Sequence, residues 1–363
     1  MSATLSLSRR FLLRVMGAEI LAPALRTLGR GLLSIFTLHR FTDPDLGVVG
    51  HDPALLRYHL AYLRRHHYRL FSLTDVVRQI ENGGTGGWGG GAPAVAFTVD
   101  DGYAGFARIA APIFAEYDCP VTLFVTTGFL DGQLWLWWDR VTYLFKHTQR
   151  SSLVFRLGGE ERAYRWSTSG ERDEAQHDVL RRLEWIDAPL REATIAGLSR
   201  QFDVEVPASP PPACAPISWD EVRRTAKLGV TFGPHTVTHP ILSLASEDVC
   251  RWEIEESCRR LRQETDAWVP VFCYPNGEPR SFGQREVEAT QRMGCRAALT
   301  TVRDYAAARH ARPQGALERF ALPRFPYPDD TPHFVNVVAG LARLKQRLHR
   351  LHGGVLRPGL TSA

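Results

Sequence analysis

Short apolar segments alternate with amphipathic helical segments along most of this chain, and this alternation restricts the possible folds more than any other feature. Several apolar segments are hydrophobic at every position, which is typical of strands buried on both faces of a parallel sheet. Strand–helix repetition favours parallel pairing, and seven strands come close to forming a closed barrel. The candidate strands are Leu32–Leu38, Ala94–Val99, Val121–Thr126, Gly229–Gly233, Val271–Tyr274, Arg296–Thr300 and Arg319–Leu322.

The helices between these strands carry start and stop signals. Asp52–Pro53 combines an N-cap with a proline at the first helical position. Capping boxes are predicted at Ser218–Glu221 and Ser281–Gln284, and Gly294 is a plausible C-cap.

One long segment, residues 131–216, interrupts the alternation and predicts a mostly helical insertion in a loop of the main domain. The predicted organisation is an N-terminal basic helix over 1–30, the barrel over 31–330 with that insertion, and a C-terminal basic helix and tail over 331–363.

Composition narrows the function classes. The 44 Lys and Arg residues exceed the 39 Asp and Glu residues mainly through the last thirty positions, so no nucleic-acid surface is expected. The six cysteines include no CxxC pair, which argues against a disulfide framework or a cysteine-zinc site. No apolar run reaches the ~18 residues that a membrane span needs.

The N-terminus allows two interpretations. Ser8–Leu13 resembles a twin-arginine export signal, and Ala22–Ala24 resembles a cleavage site. Arg14 and Glu19 interrupt the short apolar stretch between them, which favours an amphipathic helix. We therefore expect a bacterial-type protein in the cytoplasm or at the membrane periphery, with export as the alternative.

Two adjacent acids follow the second candidate strand. Asp100 and Asp101 come directly after the apolar residues of this strand and precede Gly102. Adjacent carboxylates at a strand end repel each other and lose hydration unless a cation lies beside them. Capping of a helix predicted over Tyr103–Tyr117 would explain only one of the two acids. The pair therefore favours a neighbouring cation.

Two histidines four residues apart follow the fourth candidate strand. On a helical turn this spacing places His235 and His239 on one face, within reach of one metal ion. Pro240 limits the segment to a short turn. No Glu follows the first His, which excludes the His-Glu-x-x-His zinc motif. The pair alone also fits two surface histidines near a turn.

Together the acids and the histidines indicate a metal site. Two His and one Asp give three ligands with open positions, and the second Asp is then available as a base. Both segments lie at the carboxyl ends of strands, where barrel enzymes place their active sites. A non-haem iron oxygenase uses the same ligand set, although usually on a β-sandwich.

Three motifs carry a resemblance to a known family. Thr98–Gly102 resembles the Thr-Phe-Asp-Asp-Gly motif of the polysaccharide deacetylases (carbohydrate esterase family four, with its nodulation-type deacetylase domain), with Val99 in place of Phe. His235–His239 matches the family's His-Ser/Thr-x-x-His motif, and Phe272–Gly277 resembles its Pro-containing third motif. The resemblance covers roughly residues 30–330 apart from the insertion.

The resemblance implies a fold, an activity and residue roles. It implies a distorted (β/α)7 barrel that removes acetyl groups from N-acetylated sugars of chitin, peptidoglycan or exopolysaccharides. Asp100 would be the general base, while Asp101, His235 and His239 would bind a divalent metal. We expect Zn2+, with Co2+ or Ni2+ tolerated. Thr236 would orient His235 or a neighbouring carboxylate. The substrate would be the binding partner, and no protein partner is inferred.

Two departures from the family pattern leave roles open. The third motif usually begins with an Arg that pairs with the catalytic Asp, and Arg324 is the candidate replacement, with a rim salt bridge as its other interpretation. The final Leu-x-His motif, which supplies the general acid, is missing. His39 after the first strand is the candidate acid, because exopolysaccharide-type members place a His there, and His333 is the alternative.

Several further residues are candidates for substrate contacts. The backbone N–H of Asn276 is the proposed oxyanion donor. A sugar-binding surface is expected from Tyr103, Trp135, Trp137, Trp138, Tyr274 and Pro275. The tryptophans equally fit packing of the insertion against the barrel. The tryptophan-rich insertion and the Tyr-Pro-Asn-Gly sequence look most like the exopolysaccharide-associated branch. The missing His also leaves a catalytically silent carbohydrate-binding relative as an alternative.

Overall fold

The computed structural model describes residues 26–83, 88, 92–307, 310, 316–341 and 343. The twin-arginine-like segment and most of the predicted N-terminal helix lie outside these residues, as does most of the basic C-terminal tail. The cellular location and the N-terminal helix therefore stay predictions, while the predicted C-terminal helix is observed over Thr331–Val338. No helix among the described residues combines the length and apolar character that crossing a membrane requires.

Strands and helices alternate along the described chain. The strands are β1 (Leu33–Leu38), β2 (Arg69–Leu70), β3 (Ala94–Val99), β4 (Val121–Val125), β5 (Ser152–Leu157), β6 (Glu160–Arg165), β7 (Val230–Pro234), β8 (Val271–Cys273), β9 (Ala297–Leu299) and β10 (Phe325–Pro326). The α-helices are α1 (Pro53–Arg65), α2 (Leu73–Glu81), α3 (Ala111–Glu116), α4 (Thr127–Leu130), α5 (Trp137–His147), α6 (Ser169–Glu184), α7 (Ala188–Phe202), α8 (Trp219–Ala226), α9 (Glu247–Glu264), α10 (Gln284–Arg292), α11 (Ala316–Arg319) and α12 (Thr331–Val338).

The main sheet is parallel, as predicted. Its order is β10-β1-β3-β4-β7, with β2 also paired to β3, while β8 and β9 form a second parallel pair. A bridge between Phe232 and Trp268 links β7 to the segment before β8, and one between Leu299 and Leu322 links β9 to the segment before β10. These two single-residue bridges are the backbone contacts that connect the β8–β9 pair to the main sheet in the described part of the chain. The predicted α/β class is confirmed.

Both faces of the central strands are buried, which explains their continuous apolar character. In β3, Ala94 and Ala96 belong to the cluster on one face, while Val95 and Phe97 belong to the cluster on the other. The interior cluster combines strand residues with side chains of α2, and the outer cluster fills the space between the sheet and α1, α3 and α12. Because side chains alternate between the two faces of a strand, Asp100 lies on the same face as Ala94 and Ala96.

Two local predictions were wrong. Arg319–Leu322 was expected to be the seventh strand, but this segment covers the end of α11 and the turn after it, and the strand is Phe325–Pro326. The helix-forming residues of α11 outweigh the apolar pair that suggested a strand. The capping box expected at Ser281 does not form: the N-cap is Gly283, whose N–H donates to the carboxylate of Glu286 but which has no side chain to complete the box.

Residues 131–216 build a small unit with its own apolar cluster. Helices α5, α6 and α7 pack together with the hairpin of β5 and β6, and buried residues from the three helices and from β5 enter the cluster. The hairpin was not predicted. Its turn is Gly158-Gly159, and both residues have positive φ, at 59° and 84°. A two-residue turn of this kind favours an antiparallel strand pair in this segment rather than a further helix.

Close packing next to the predicted histidines gives a stability test. A Cβ at Gly233 in β7 would collide with the Phe124 ring and lie 3.0 Å from the Val271 carbonyl oxygen. We expect Gly233→Ala to lower the free energy of unfolding by about 1–3 kcal/mol, as overpacking typically does. Gly105→Ala is the control, because Gly105 has φ −56° and open space around its Cβ position. Chemical denaturation measures both variants, and equal stability would contradict the packing argument.

Candidate metal centre

Asp100 continues the inward face of β3 beyond the last residue of the strand. Its backbone N–H still donates to the Leu38 carbonyl, so the strand geometry extends to this position. The Thr37 hydroxyl of β1 donates to Asp100 Oδ2 over 3.3 Å. Thr37 is paired in register with Thr98, two residues before Asp100. The parallel pairing therefore directs this carboxylate into the interior.

A buried ion pair joins Asp100 to Arg324, as the sequence suggested. The Arg324 Nη1 atom lies 2.8 Å from Asp100 Oδ1 and 3.0 Å from the Thr98 hydroxyl. Its Nε donates to the Thr300 carbonyl, and its Nη2 lies 3.2 Å from the Cys273 sulfur. Burial raises the pKa of Asp100, but the adjacent guanidinium reverses this and holds the pKa well below its usual range. Asp100 is therefore an ionised carboxylate.

Asp101 faces away from this pair because the backbone changes direction. Its φ is +74°, and the following Gly102 has φ +95°. Asp101 Oδ1 lies 3.7 Å from His235 Nε2 and 3.5 Å from His239 Nε2. All three side chains are buried. The two adjacent acids thus serve separate partners, and neither caps the helix that follows.

The geometry of these three side chains fits a shared cation. Separations of 3.5 and 3.7 Å are too long for hydrogen bonds. Tetrahedral ligands about 2.0 Å from a zinc ion lie roughly 3.3 Å apart, close to these values. His235 Nδ1 lies 2.7 Å from the Cys273 carbonyl oxygen, which fixes its proton there and leaves the Nε2 lone pair facing Asp101. Two neutral imidazoles and one carboxylate are ligands suited to zinc or a similar divalent ion.

The electrostatics also favour a cation. Burial raises the pKa of Asp101 to about 7 and lowers the pKa of His235 to about 4. Burial and the neighbouring His235 likewise lower the pKa of His239. A bound cation would favour the ionised acid and the neutral imidazoles. A second cluster of Asp100, His235 and Cys273 is possible by distance, but the Arg324 guanidinium already occupies that side.

The loop carrying the two histidines is held by a residue that the sequence reading missed. Glu253, buried on α9, accepts hydrogen bonds from the N–H groups of Val237 and Thr238 at 2.7 and 2.9 Å. It also accepts from the Thr238 hydroxyl. These contacts offset the conformational cost of the loop, in which Thr236 and His239 have positive φ values of 66° and 59°. Glu253 lies within the buried face of α9, and an acid in an apolar stripe was the available signal.

Thr236 supports the same loop. Its hydroxyl accepts from the His239 backbone N–H at 3.0 Å and donates to the His235 carbonyl. It therefore orients the backbone between the two histidines, rather than contacting a carboxylate.

The candidate general acids occupy different places. His39 follows β1 and is exposed, yet its imidazole counteracts the burial-induced rise in the pKa of Asp101, which places it within electrostatic reach of that residue. His333 is exposed in the first turn of α12, a helix that packs against α1 outside the sheet. The structure thus brings His39, and not His333, towards the centre.

The candidate sugar-binding residues divide by burial. Tyr103, Trp135 and Tyr274 are at most 6% exposed and contact protein, and Pro275 is also buried. Tyr103 donates to Asp139 at 2.7 Å, and Tyr274 stacks on Phe282. Trp137 and Trp138 remain half-buried. Of the six candidates for sugar contacts, these two are therefore the ones that stay partly accessible.

Trp138 connects the insertion to the metal centre. Its ring meets His239 edge-on, with centroids 4.8 Å apart, and its Nε1 donates to the Tyr103 hydroxyl at 2.8 Å. Asp139, the next residue, accepts from Tyr103 and pairs with Arg40 at 3.3 Å. The start of α5 thus forms one wall of the site.

A second set of contacts connects the insertion to the turn after β8. The Asn276 side-chain amide donates to Glu184 of α6 at 2.6 Å, and Arg280 stacks over Trp185. Asn276 has φ 61° in the turn after β8. Among hydrogen bonds within the described part of the chain, none uses its backbone N–H as the donor. That N–H therefore remains available for the oxyanion role predicted for it.

Comparisons with known proteins identify the family and the fold of this chain. A family model described as polysaccharide deacetylase matches residues 89–298, more than half of the chain. The fold is similar to a Streptococcus pyogenes deacetylase, PplD, solved in complex with acetate: 17% identity and a TM-score of 0.51, covering 86% of this chain and 97% of that one. It is also similar to IcaB from Ammonifex degensii, with 15% identity, a TM-score of 0.51 and coverage of 85% and 97%. No curated protein sequence matches the chain.

The role of Glu253 in holding the histidine loop can be measured directly. Glu253→Ala leaves the buried N–H of Val237 and the part-buried N–H of Thr238 without their acceptor, and we expect a 10–100-fold loss of zinc affinity, the usual range for outer-shell partners. Glu253→Gln keeps one acceptor oxygen and should restore most of the affinity. Glu255→Ala, on another face of α9, is the control. Competition with a chromophoric chelator gives the dissociation constants. Unchanged affinity in Glu253→Ala would show that the loop holds its shape alone.

Proposed function

The chain belongs to the polysaccharide deacetylase family, and we propose that it hydrolyses N-acetyl groups of an amino-sugar polymer or oligosaccharide, releasing acetate, with a divalent cation held by Asp101, His235 and His239. One observation carries this proposal: an ionised carboxylate, Asp100, lies directly beside a separate three-ligand cluster in one buried site. An iron oxygenase needs no such second carboxylate, and a silent binding relative would not need to keep both sets of residues.

The cation would supply Lewis acidity, polarising the amide carbonyl and acidifying a water molecule. Asp100 then accepts a proton from the attacking water, and the buried Arg324 keeps this carboxylate ionised and oriented. The Asn276 N–H supports charge that develops on the carbonyl oxygen. As the C–N bond breaks, His39 donates a proton to the departing amine. The products are acetate and a free amino sugar.

The half-buried tryptophans of α5 fit the substrate side of this proposal. Trp137 and Trp138 meet at nearly right angles, with centroids 5.5 Å apart. Trp138 also contacts His239. A sugar ring stacked on Trp137 would lie beside the metal ligands. The exopolysaccharide-associated branch remains our proposal for the substrate class.

One experiment distinguishes the proposed roles of the two adjacent acids. Asp101→Ala should lose bound metal and activity together, because it removes a ligand. Asp100→Asn should keep the metal but lose about 10²–10⁴-fold in turnover, the usual contribution of base catalysis. Metal content and acetate release from a panel of N-acetylated oligosaccharides are measured on both variants. Loss of metal from Asp100→Asn would show that the roles are reversed, and absence of acetate release by the metal-loaded wild type would refute the proposed activity.

The role of His39 depends on the leaving group. His39→Ala should lower kcat on an N-acetylated oligosaccharide without changing metal content, because the amine then leaves without a proton donor. An activated acetyl ester, whose leaving group needs no proton, should be affected much less. Comparing the two substrates on the variant and the wild type decides this. Equal losses would assign His39 to substrate positioning, and an unchanged amide rate would assign proton donation to water.

A further inference from the structure

An arginine in the insertion is buried without a hydrogen-bonded partner. Arg191 lies on α7 and is 4% exposed. The guanidinium carbon of Arg191 lies over the ring of Trp137, 5.0 Å from the ring centroid. No hydrogen bond or ion pair to its guanidinium is found among the described residues. The equally buried Arg324, in contrast, uses all three of its nitrogens.

The acids nearest to Arg191 do not neutralise it. Asp187 and Glu192 act on its charge only from a distance, and Glu192 is already bonded to Arg140 at 2.6 Å. Burial lowers the pKa of Arg191, and the charge of Arg140 adds to this effect. The guanidinium nitrogens of Arg191 are not among the fully buried side-chain atoms that lack a partner, so they reach the surface of the described part of the chain. A ligand that supplies an anion there would form the ion pair that the described residues do not form.

The position of Arg191 relates this anion to the metal centre. Arg191 stacks on Trp137, Trp137 contacts Trp138, and Trp138 contacts His239. The guanidinium is therefore connected to a metal ligand through the rings of two adjacent tryptophans.

We propose that Arg191 binds a carboxylate on a sugar unit neighbouring the N-acetylated unit, so that the substrate is an acidic polysaccharide. This inference rests on the proposed function, whose substrate class it narrows. A planar guanidinium matches a carboxylate through two parallel hydrogen bonds. One unpaired cation neutralises one negative charge, which favours a carboxylate over a phosphate monoester. Trp137 fixes the guanidinium and presents its remaining surface to the sugar ring.

The test compares two oligosaccharides of equal length. One is a neutral N-acetylglucosamine tetrasaccharide, and the other alternates N-acetylglucosamine with glucuronic acid. Acetate release gives kcat/KM for metal-loaded wild type, Arg191→Gln, Arg191→Lys and Arg200→Gln. Arg200 lies on the exposed opposite face of α7 and controls for the change in net charge.

The wild type should prefer the acidic oligosaccharide, and Arg191→Gln should lower the acidic-to-neutral ratio about 30-fold or more, mainly through KM, as expected for loss of a desolvated charge pair. Arg191→Lys should retain part of the preference, and Arg200→Gln all of it. A wild type without preference, or equal losses on both oligosaccharides in Arg191→Gln, would overturn the proposal.

Binding separates this proposal from the proposed activity. Tryptophan fluorescence titrations with both oligosaccharides are run on Asp100→Asn, with and without Arg191→Gln. Acidic-oligosaccharide binding that depends on Arg191 would support the anion site even if the wild type released no acetate, in which case only the deacetylase proposal fails. Binding of the two oligosaccharides with equal affinity would overturn the anion site whatever the activity.

Discussion

The buried pair of Asp100 and Arg324 determines how the carboxyl edge of this sheet can be built. Two acids and two imidazoles enter an interior where each charge needs a partner. Arg324 neutralises the first acid while also bonding to Thr98 and the Thr300 carbonyl, so it links β3 to the end of β9 across the interior. The second acid is left for the histidines. The two adjacent carboxylates therefore have different partners because of this single ion pair.

The sequence predicted the features whose signal is local. β3 was located at its observed bounds because every residue of this strand except Thr98 is apolar, and the two acids and the first histidine follow their strands directly. The Arg324–Asp100 pair, 224 residues apart, was identified only through the family resemblance. The short strand β10 was misplaced because two residues carry too little pattern to outweigh the neighbouring helix former.

The residues that sequence reasoning missed act through tertiary contacts. Glu253 looks like any helix acid until α9 is placed against the histidine loop. Arg191 looks like a surface arginine until α7 packs on α5 and covers it. The Gly158-Gly159 turn was the exception, since a glycine pair between alternating segments is a local hairpin signal. The burial of long polar side chains was therefore the main feature of the site that could not be predicted from the sequence.

The left-handed backbone at the site has a thermal consequence. Asp101, Thr236, His239 and Asn276 all have positive φ, a conformation that is costly for residues other than glycine and persists only when surrounding contacts enforce it. The β-branched Thr236 is the most restricted of them. Segments held in this way open at lower free energy than the sheet beneath them. On heating, the histidine loop is expected to relax before β3 and β7 separate, so irreversible inactivation would begin below the melting temperature of the domain.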